Sequence, residues 1–354
     1  MALDIVVSIG PESSSVKVLT ELIKAGGTVF RFNYSHQLHE VQAQWLANLR
    51  KAEKQAGKKV KTMQDVQGFK IRLGNIKRFD LKEGEQVILD SSITHEEPDI
   101  LVKGELLPYD GEPIYTGSPI IPRAAQVGSM LYVGDGNLGF KVVEKPSEER
   151  LVCTVVGAGE LGVHKALTLA NEVIEEKALT FQDYENIKLA AGLQYDYLAI
   201  SFTQTADDIT DCRDFIEREC GDWRPQIIAK IETKLGLQNL AAIVDVVDGI
   251  MVARGDLALH TDFRELYLHE RRIIELCKQK KKYCIVATQM LESLKEGGLI
   301  PGRAEIIDIA TAAALGANAT MLSGETTVGA QPVHVVATMR GILEATEKGL
   351  QVIN

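Results

Sequence analysis

The sequence predicts an α/β fold: a parallel (β/α)8 barrel with a β-rich unit inserted after its third strand. Two observations lead there. Short runs rich in β-branched residues alternate with longer amphipathic stretches, and the alternation occurs eight times. One interval, from about Leu73 to Gly159, breaks that rhythm with short runs separated by turn residues.

Taken in order, DIVVSIG (4–10) is the first strand, and SSVKVLTELIKAG follows it with apolar residues at i, i+3, i+4 spacing. TVFRFNY (28–34) precedes the helical HEVQAQWLANLRKAEKQAG, and KVKTMQDV (59–66) is the third strand. The interrupting interval carries NIKRFD, LKEGEQVILD, YDGEP, TGSP, VGDGNLG and EKPSEE, the pattern of a small all-β unit. An insertion at that point lands on the C-terminal face of a barrel, where active sites are built, and is expected to act as a lid. Its span is 73–159, leaving 1–72 and 160–354 for the barrel. The alternation then resumes. YDYLAISF (195–202), PQIIAKIE (225–232), DGIMVAR (248–254), YCIVATQ (283–289) and ATMLSG (319–324) are the remaining strands. The helices FQDYENIKLAAGL, ADDITDCRDFIEREC, LGLQNLAAIVDVV, YLHERRIIELCKQKK, AEIIDIATAAALGA and VHVVATMRGILEATEKG lie before, between and after them.

Composition narrows the function. Lys plus Arg number 39 against 49 Asp plus Glu, a net charge of -10, which argues against a nucleic-acid role. The one basic run, KQKKK (278–282), suits the negative end of a helix. The five cysteines are scattered and odd in number, as in a reduced cytoplasmic protein. The N-terminus has no signal-peptide pattern, and no apolar run is long enough to span a membrane.

In a barrel, polar residues at the C-terminal strand ends face the active-site mouth. Here those ends carry Arg31, Asn33, Ser35 and His36; Asp65, Gln67, Lys70 and Arg72; and Ser201 and Gln204. The later strands add Lys230 and Glu232, Arg254 and Asp256, Thr288 and Gln289, and Ser323 and Glu325. Glu232 and Asp256 are hard oxygen ligands suited to Mg2+ or Mn2+. Lys230 and Arg72 suit a phosphoryl group, and Gly255 lets backbone N–H groups approach an anion, so RGD reads as an anion nest beside a metal ligand. The residues thus point to metal-assisted phosphoryl transfer or enolate chemistry on a small anionic substrate.

With these residues placed, the chain resembles the pyruvate kinase family over nearly its whole length. RFNYSH, DVQGFKIR, IAKIET, MVARGDL, VATQML, PGRAE and MLSGET resemble the family's blocks in order and spacing. The resemblance implies transfer of the phosphoryl group of phosphoenolpyruvate to ADP, giving pyruvate and ATP, with Mg2+ or Mn2+. It implies that Lys230 stabilises the phosphoryl group, that Glu232 and Asp256 hold the metal, and that Arg31 and Arg72 clamp the phosphate. Gly255 and Asp256 N–H groups with Thr288 would bind the carboxylate, and Ser323 would belong to the relay that protonates the enolate. Asn33, Ser35 and Asp65 fall where the family binds a monovalent cation, and Pro11, His36 and Lys165 near the nucleotide.

Departures from the family pattern add expectations. The chain ends after the eighth barrel helix, without the family's C-terminal domain, which predicts no sugar-phosphate activation. Lys70 stands where many members have Glu, and Val66 where they have Thr. An ammonium there would replace the charge of K+, so K+ is not required. Phe69 replaces a proline, Gln37 and Gly302 alter two further blocks, LAN (169–171) replaces LPG, and His260 replaces a glutamate. Because these cluster on the nucleotide side, a paralogue acting on another enolpyruvate-type substrate or nucleotide is the alternative, followed by a non-catalytic ligand-binding barrel. A homo-oligomer is expected.

Overall fold

The computed structural model describes residues 3–35, 38–74, 79–92, 114–115, 118–162 and 165–353. Eight strands close a barrel: β1 (Asp4–Ser8), β2 (Val29–Asn33), β3 (Lys61–Val66), β4 (Tyr197–Ile200), β5 (Gln226–Ile231), β6 (Gly249–Ala253), β7 (Tyr283–Ala287) and β8 (Ala319–Leu322). Each of the eight falls inside a run expected from sequence. All neighbours are parallel, and the ring closes where β1 pairs with β8 through Asp4↔Ala319 and Val7↔Leu322.

Strand alternation sorts the core into two layers. Val6, Val29, Met63, Ala199, Ile228, Met251, Ile285 and Met321 fill the barrel lumen. Their chain neighbours, among them Val7, Phe30, Leu198, Ile227, Val252 and Val286, pack outward against the helices. The helices start and stop where local chemistry permits. Ala206–Glu219 is capped by Thr205, whose hydroxyl accepts from Asp208 N while the Asp208 carboxylate accepts from the Thr205 N–H. Leu266–Lys280 ends within the basic run as expected, with Lys281 in the left-handed conformation at φ 55°.

Two segments differ from the sequence expectation. LGLQNLAAIVDVV divides into Lys234–Gln238 and Leu240–Val246. At the break, Asn239 turns its amide away from the helix to donate to the Gln204 carbonyl at 2.9 Å. The strand expected through Arg254 stops at Ala253, and Arg254–His260 is a short helix.

Between β3 and β4 lies a six-stranded sheet in the order Leu167–Leu169, Met130–Val133, Leu138–Glu144, Arg150–Val156, Gln86–Asp90, Ile114–Tyr115. A two-stranded pair, Phe79–Leu81 with Gly159–Leu161, stands beside it. The unit has its own core, including Leu89, Leu131, Phe140 and Leu151, and adds one short helix, Ile120–Ala124. Its sheet draws the strand Leu167–Leu169 from beyond residue 159. Of the short runs read from sequence, YDGEP lies outside the described residues, as do residues 75–78 of NIKRFD and 116–117 of TGSP.

Candidate active site

The inward positions that are apolar at the bottom of the lumen become polar at its C-terminal mouth. Val6 leads to Ser8, Val29 to Arg31 and Asn33, Met63 to Asp65, Ala199 to Ser201, Ile228 to Lys230 and Glu232, and Met321 to Ser323. Because side chains alternate with period two, each of these residues inherits the inward side from the apolar residue before it. The barrel thereby delivers a ring of charge to one opening without any long loop.

Lys230 lies at the centre. Its ammonium donates to Ser201 Oγ at 2.6 Å and sits 3.1 Å from Glu232 Oε1 and 3.3 Å from Asp65 Oδ1. Burial alone would lower its pKa, but the Asp65 and Glu232 carboxylates outweigh that and hold it above the ordinary lysine value. Asp65 also receives Arg31 Nε at 2.6 Å. Burial raises its carboxyl, and the Arg31 and Lys230 charges overcome this, so it remains below the usual carboxylate range. Arg31 is further fixed by Ser8 Oγ at 2.9 Å.

Glu232 and Asp256 are the two carboxylates on the far side of Lys230. Glu232 Oε2 accepts the Phe202 N–H at 2.6 Å. Burial pushes its pKa up, Asp256 adds to that, and Lys230 opposes it only in part. Asp256 opens the helix that follows β6, and both its oxygens accept from Lys70 Nζ, at 2.8 and 3.0 Å. Burial would raise Asp256, but Lys70 holds it below the ordinary value. Among the described residues no third His, Cys, Asp or Glu gathers with this pair. Two hard carboxylates and no nitrogen or sulfur donor suit Mg2+ or Mn2+, which complete their shells with water and substrate oxygens.

The segment after β7 is held in a strained form. Thr288 and Gln289 have φ 74° and 52°, unusual for side-chain-bearing residues and more so for a β-branched one. Thr288 Oγ1 accepts the Gly255 N–H at 2.9 Å, which brings the RGD turn and Thr288 together. Arg254, however, does not face the mouth. Its guanidinium turns back into the fold, donating to the carbonyls of Ala287 at 3.1 Å and Thr288 at 2.6 Å. It also pairs with Glu270 at 3.2 Å and Asp308 at 2.7 Å. The cation expected at an anion nest is thus a clamp under it.

Other residues at the strand ends also prove structural. Gln204 accepts from Glu176 N and donates to Ile174 O, and buried Glu325 accepts from Leu291 N and Ser323 N. Arg31, Asn33 and Ser323 line one cavity of about 370 Å³ together with Pro11. Lys165 is exposed beside Gly134 of the inserted unit and does not line that cavity. Asn33 and Ser35 close a local turn, Ser35 N donating to Asn33 Oδ1 at 3.1 Å. Lys70 and Arg72 line a second cavity, of about 650 Å³, at the exit from β3, where Arg72 bridges to Ala166. His36 and Gln37 lie outside the described residues.

Sequence reasoning missed Phe202, Glu270 and Asp308. Phe202 adopts φ 54° and packs its ring on Phe69 at 5.0 Å and edge-on to His260 at 6.0 Å. No residue-type signal marks it. Glu270 was legible, since it occupies an apolar-face position of a helix, and an acid there needs a partner.

A closed (β/α)8 barrel whose charges gather at the C-terminal mouth, with a β-rich unit between its third and fourth strands, defines a narrow class of enzyme-like barrels. Residues 2–336 match the family model described as pyruvate kinase, barrel domain. The chain is 34% identical over 351 residues to a pyruvate kinase of Geobacillus stearothermophilus, covering 98% of this chain and 57% of that protein. It is 35% identical to one of Agrobacterium vitis, covering 97% of this chain and 68% of the relative. The crystal structure of a pyruvate kinase from Cryptosporidium parvum superposes with a TM-score of 0.87 at 31% identity, over 98% of this chain and 69% of that one. The chain belongs to the pyruvate kinase family, and it spans roughly three-fifths to two-thirds of the length of these relatives.

Proposed function

We propose that this barrel transfers the phosphoryl group of phosphoenolpyruvate to ADP. The P–O bond to the enol oxygen breaks, a P–O bond to the terminal ADP oxygen forms, and the enolate takes a proton at carbon to give pyruvate. The observation that carries this reading is Lys230: a buried ammonium, kept charged and fixed by Ser201, Asp65 and Glu232, at the centre of the mouth. Phosphoryl transfer needs such positioned charge more than covalent help.

Around it, Arg31 and Arg72 clamp the phosphate. The N–H groups of Gly255 and Asp256 with Thr288 hold the carboxylate, and Ser323 stands in the relay that delivers the proton. Glu232 and Asp256 would hold Mg2+ or Mn2+, which when bound neutralises charge on the carboxylate and enolate oxygen. Pro11, His36 and Lys165 contact the nucleotide. Asn33, Ser35 and Asp65 stand at the monovalent-cation position, and the Lys70 ammonium, paired with Asp256 rather than with these three, supplies positive charge to the same mouth and makes K+ unnecessary. The inserted unit, residues 73–159 extended by the strands Gly159–Leu161 and Leu167–Leu169 that its sheets draw in, acts as the lid over the barrel. Five reduced, buried cysteines support a cytoplasmic protein, and a homo-oligomer is the expected assembly.

The test is pyruvate release from phosphoenolpyruvate with Mg2+ and ADP, GDP, UDP or no nucleotide, with Lys230→Met as control. Pyruvate formed with ADP and lost in the variant supports the reading. No turnover with any diphosphate refutes it and favours a paralogue that uses another enolpyruvate-type substrate.

A further inference from the structure

We propose that Lys70 is a built-in counter-cation that competes with the divalent ion for Asp256 and couples metal uptake to the chain entering the inserted unit. The inference rests on the reading of Glu232 and Asp256 as metal ligands.

Lys70 Nζ reaches both Asp256 oxygens, at 2.8 and 3.0 Å, so one ammonium occupies the whole carboxylate. A divalent ion needs at least one of the same oxygens, and a 1+ and a 2+ charge cannot share that position without repulsion. The pair is reachable by water, with side-chain exposures of 26% for Lys70 and 20% for Asp256, so exchange requires no unfolding.

Lys70 lies between two anchors. On the β3 side, the N–H groups of Gln67 and Gly68 donate to Asp183 at 3.0 and 3.1 Å. On the insertion side, Leu73 N donates to the Lys165 carbonyl at 2.8 Å and Arg72 bridges to Ala166. Residues 69 and 70 meet the barrel mouth through Phe69 on Phe202 and Lys70 on Asp256. Metal that takes Asp256 therefore removes one of these two contacts. By linkage, whatever the metal must displace weakens its binding, and metal binding loosens what it displaced.

The test uses the full chain without substrate, at fixed ionic strength, with Mn2+ titrated by the electron paramagnetic resonance of the free ion. Lys70→Met is expected to bind Mn2+ about three- to tenfold more tightly than the parent, as fits loss of a partly exposed charge pair. Lys70→Arg, which keeps the cation, stays near the parent, and Glu232→Gln loses most binding. Hydrogen exchange of residues 67–74 rises on Mn2+ saturation in the parent and is already raised in Lys70→Met without metal. Equal Mn2+ affinity in the parent and Lys70→Met, with Glu232→Gln impaired, overturns the competition and leaves the metal reading standing. Mn2+ binding untouched by Glu232→Gln and by Asp256→Asn removes the metal reading and the inference with it. Exchange in 67–74 that ignores Mn2+ overturns the coupling.

Discussion

Replacing Arg254 with Leu tests whether this residue is a structural clamp rather than a ligand-binding cation. The substitution removes the partner of Glu270, whose side chain is 5% exposed, and the donor to the Ala287 and Thr288 carbonyls. Breaking a buried ion pair from one side costs about 3–5 kcal/mol. The lower end applies, because Asp308 is 33% exposed and can return its charge to water. Arg254→Leu is therefore expected to lose about 3 kcal/mol in urea denaturation followed by circular dichroism, with an unchanged m-value. Glu270→Leu added to Arg254→Leu should recover at least about 1 kcal/mol, since no buried carboxylate is then left unpaired. With the clamp gone, Thr288 should relax from φ 74°, and if the proposed reaction is correct the KM for phosphoenolpyruvate should rise. A single variant within about 0.5 kcal/mol of the parent, or a double variant no more stable than the single, refutes the reasoning.

Three further outcomes follow from the geometry. Lys230→Met should lower turnover by about a thousandfold or more while leaving most Mn2+ affinity, as read by steady-state kinetics beside metal titration. His260→Gln should flatten the acid side of stability. Burial lowers the His260 pKa to about 4, below its value of 6.5 when unfolded, so the unfolded chain binds the extra proton first and stability falls as pH drops from 6.5 toward 4. Because the ring is partly exposed, the loss between pH 7 and 5 should be about 1–2 kcal/mol in the parent, and His260→Gln should not share it. Gly10→Val should cost about 2 kcal/mol or more in thermal or chemical unfolding, because its Cβ would stand 2.6 Å from the Thr327 backbone carbonyl and push the turn after Ser323.

The barrel was legible because its signal is periodic: eight short runs, most of them rich in β-branched residues and apolar on both faces, alternate with amphipathic stretches and give eight parallel strands. The central site was legible for the same reason. Lys230 and Glu232 follow Ile228 by steps of two, so their inward direction is written in the strand itself. Legibility fails where the strand stops. Arg254 directly follows β6, but the chain bends into a helix there, and alternation no longer says which way a side chain points. Its partners Glu270 and Asp308 lie 16 and 54 residues away, on helices whose packing the local pattern does not encode. Lys70 is a related case. Its residue type announced a cation near the site, but only the path of residues 67–74 places it on Asp256 rather than on Asn33, Ser35 or Asp65.

The charges at the mouth also suggest how its ligands arrive. Arg31, Lys70 and Lys230 face Asp65, Glu232 and Asp256, so without ligand the inner cluster is balanced pair by pair. Such balance spares any one buried ion from standing alone. A phosphate ester that also bears a carboxylate carries about three negative charges near neutral pH. Entering alone, it would leave an excess of negative charge in a desolvated site. With a divalent cation most of that excess is offset: the inner protein groups are balanced, the metal brings two positive charges, and the substrate about three negative. On the proposed reading, joint uptake of the metal and the phosphate ester is therefore expected over either one alone. Affinity for each should rise when the other is present, and Glu232→Gln should weaken that mutual dependence more than it weakens anion binding by itself.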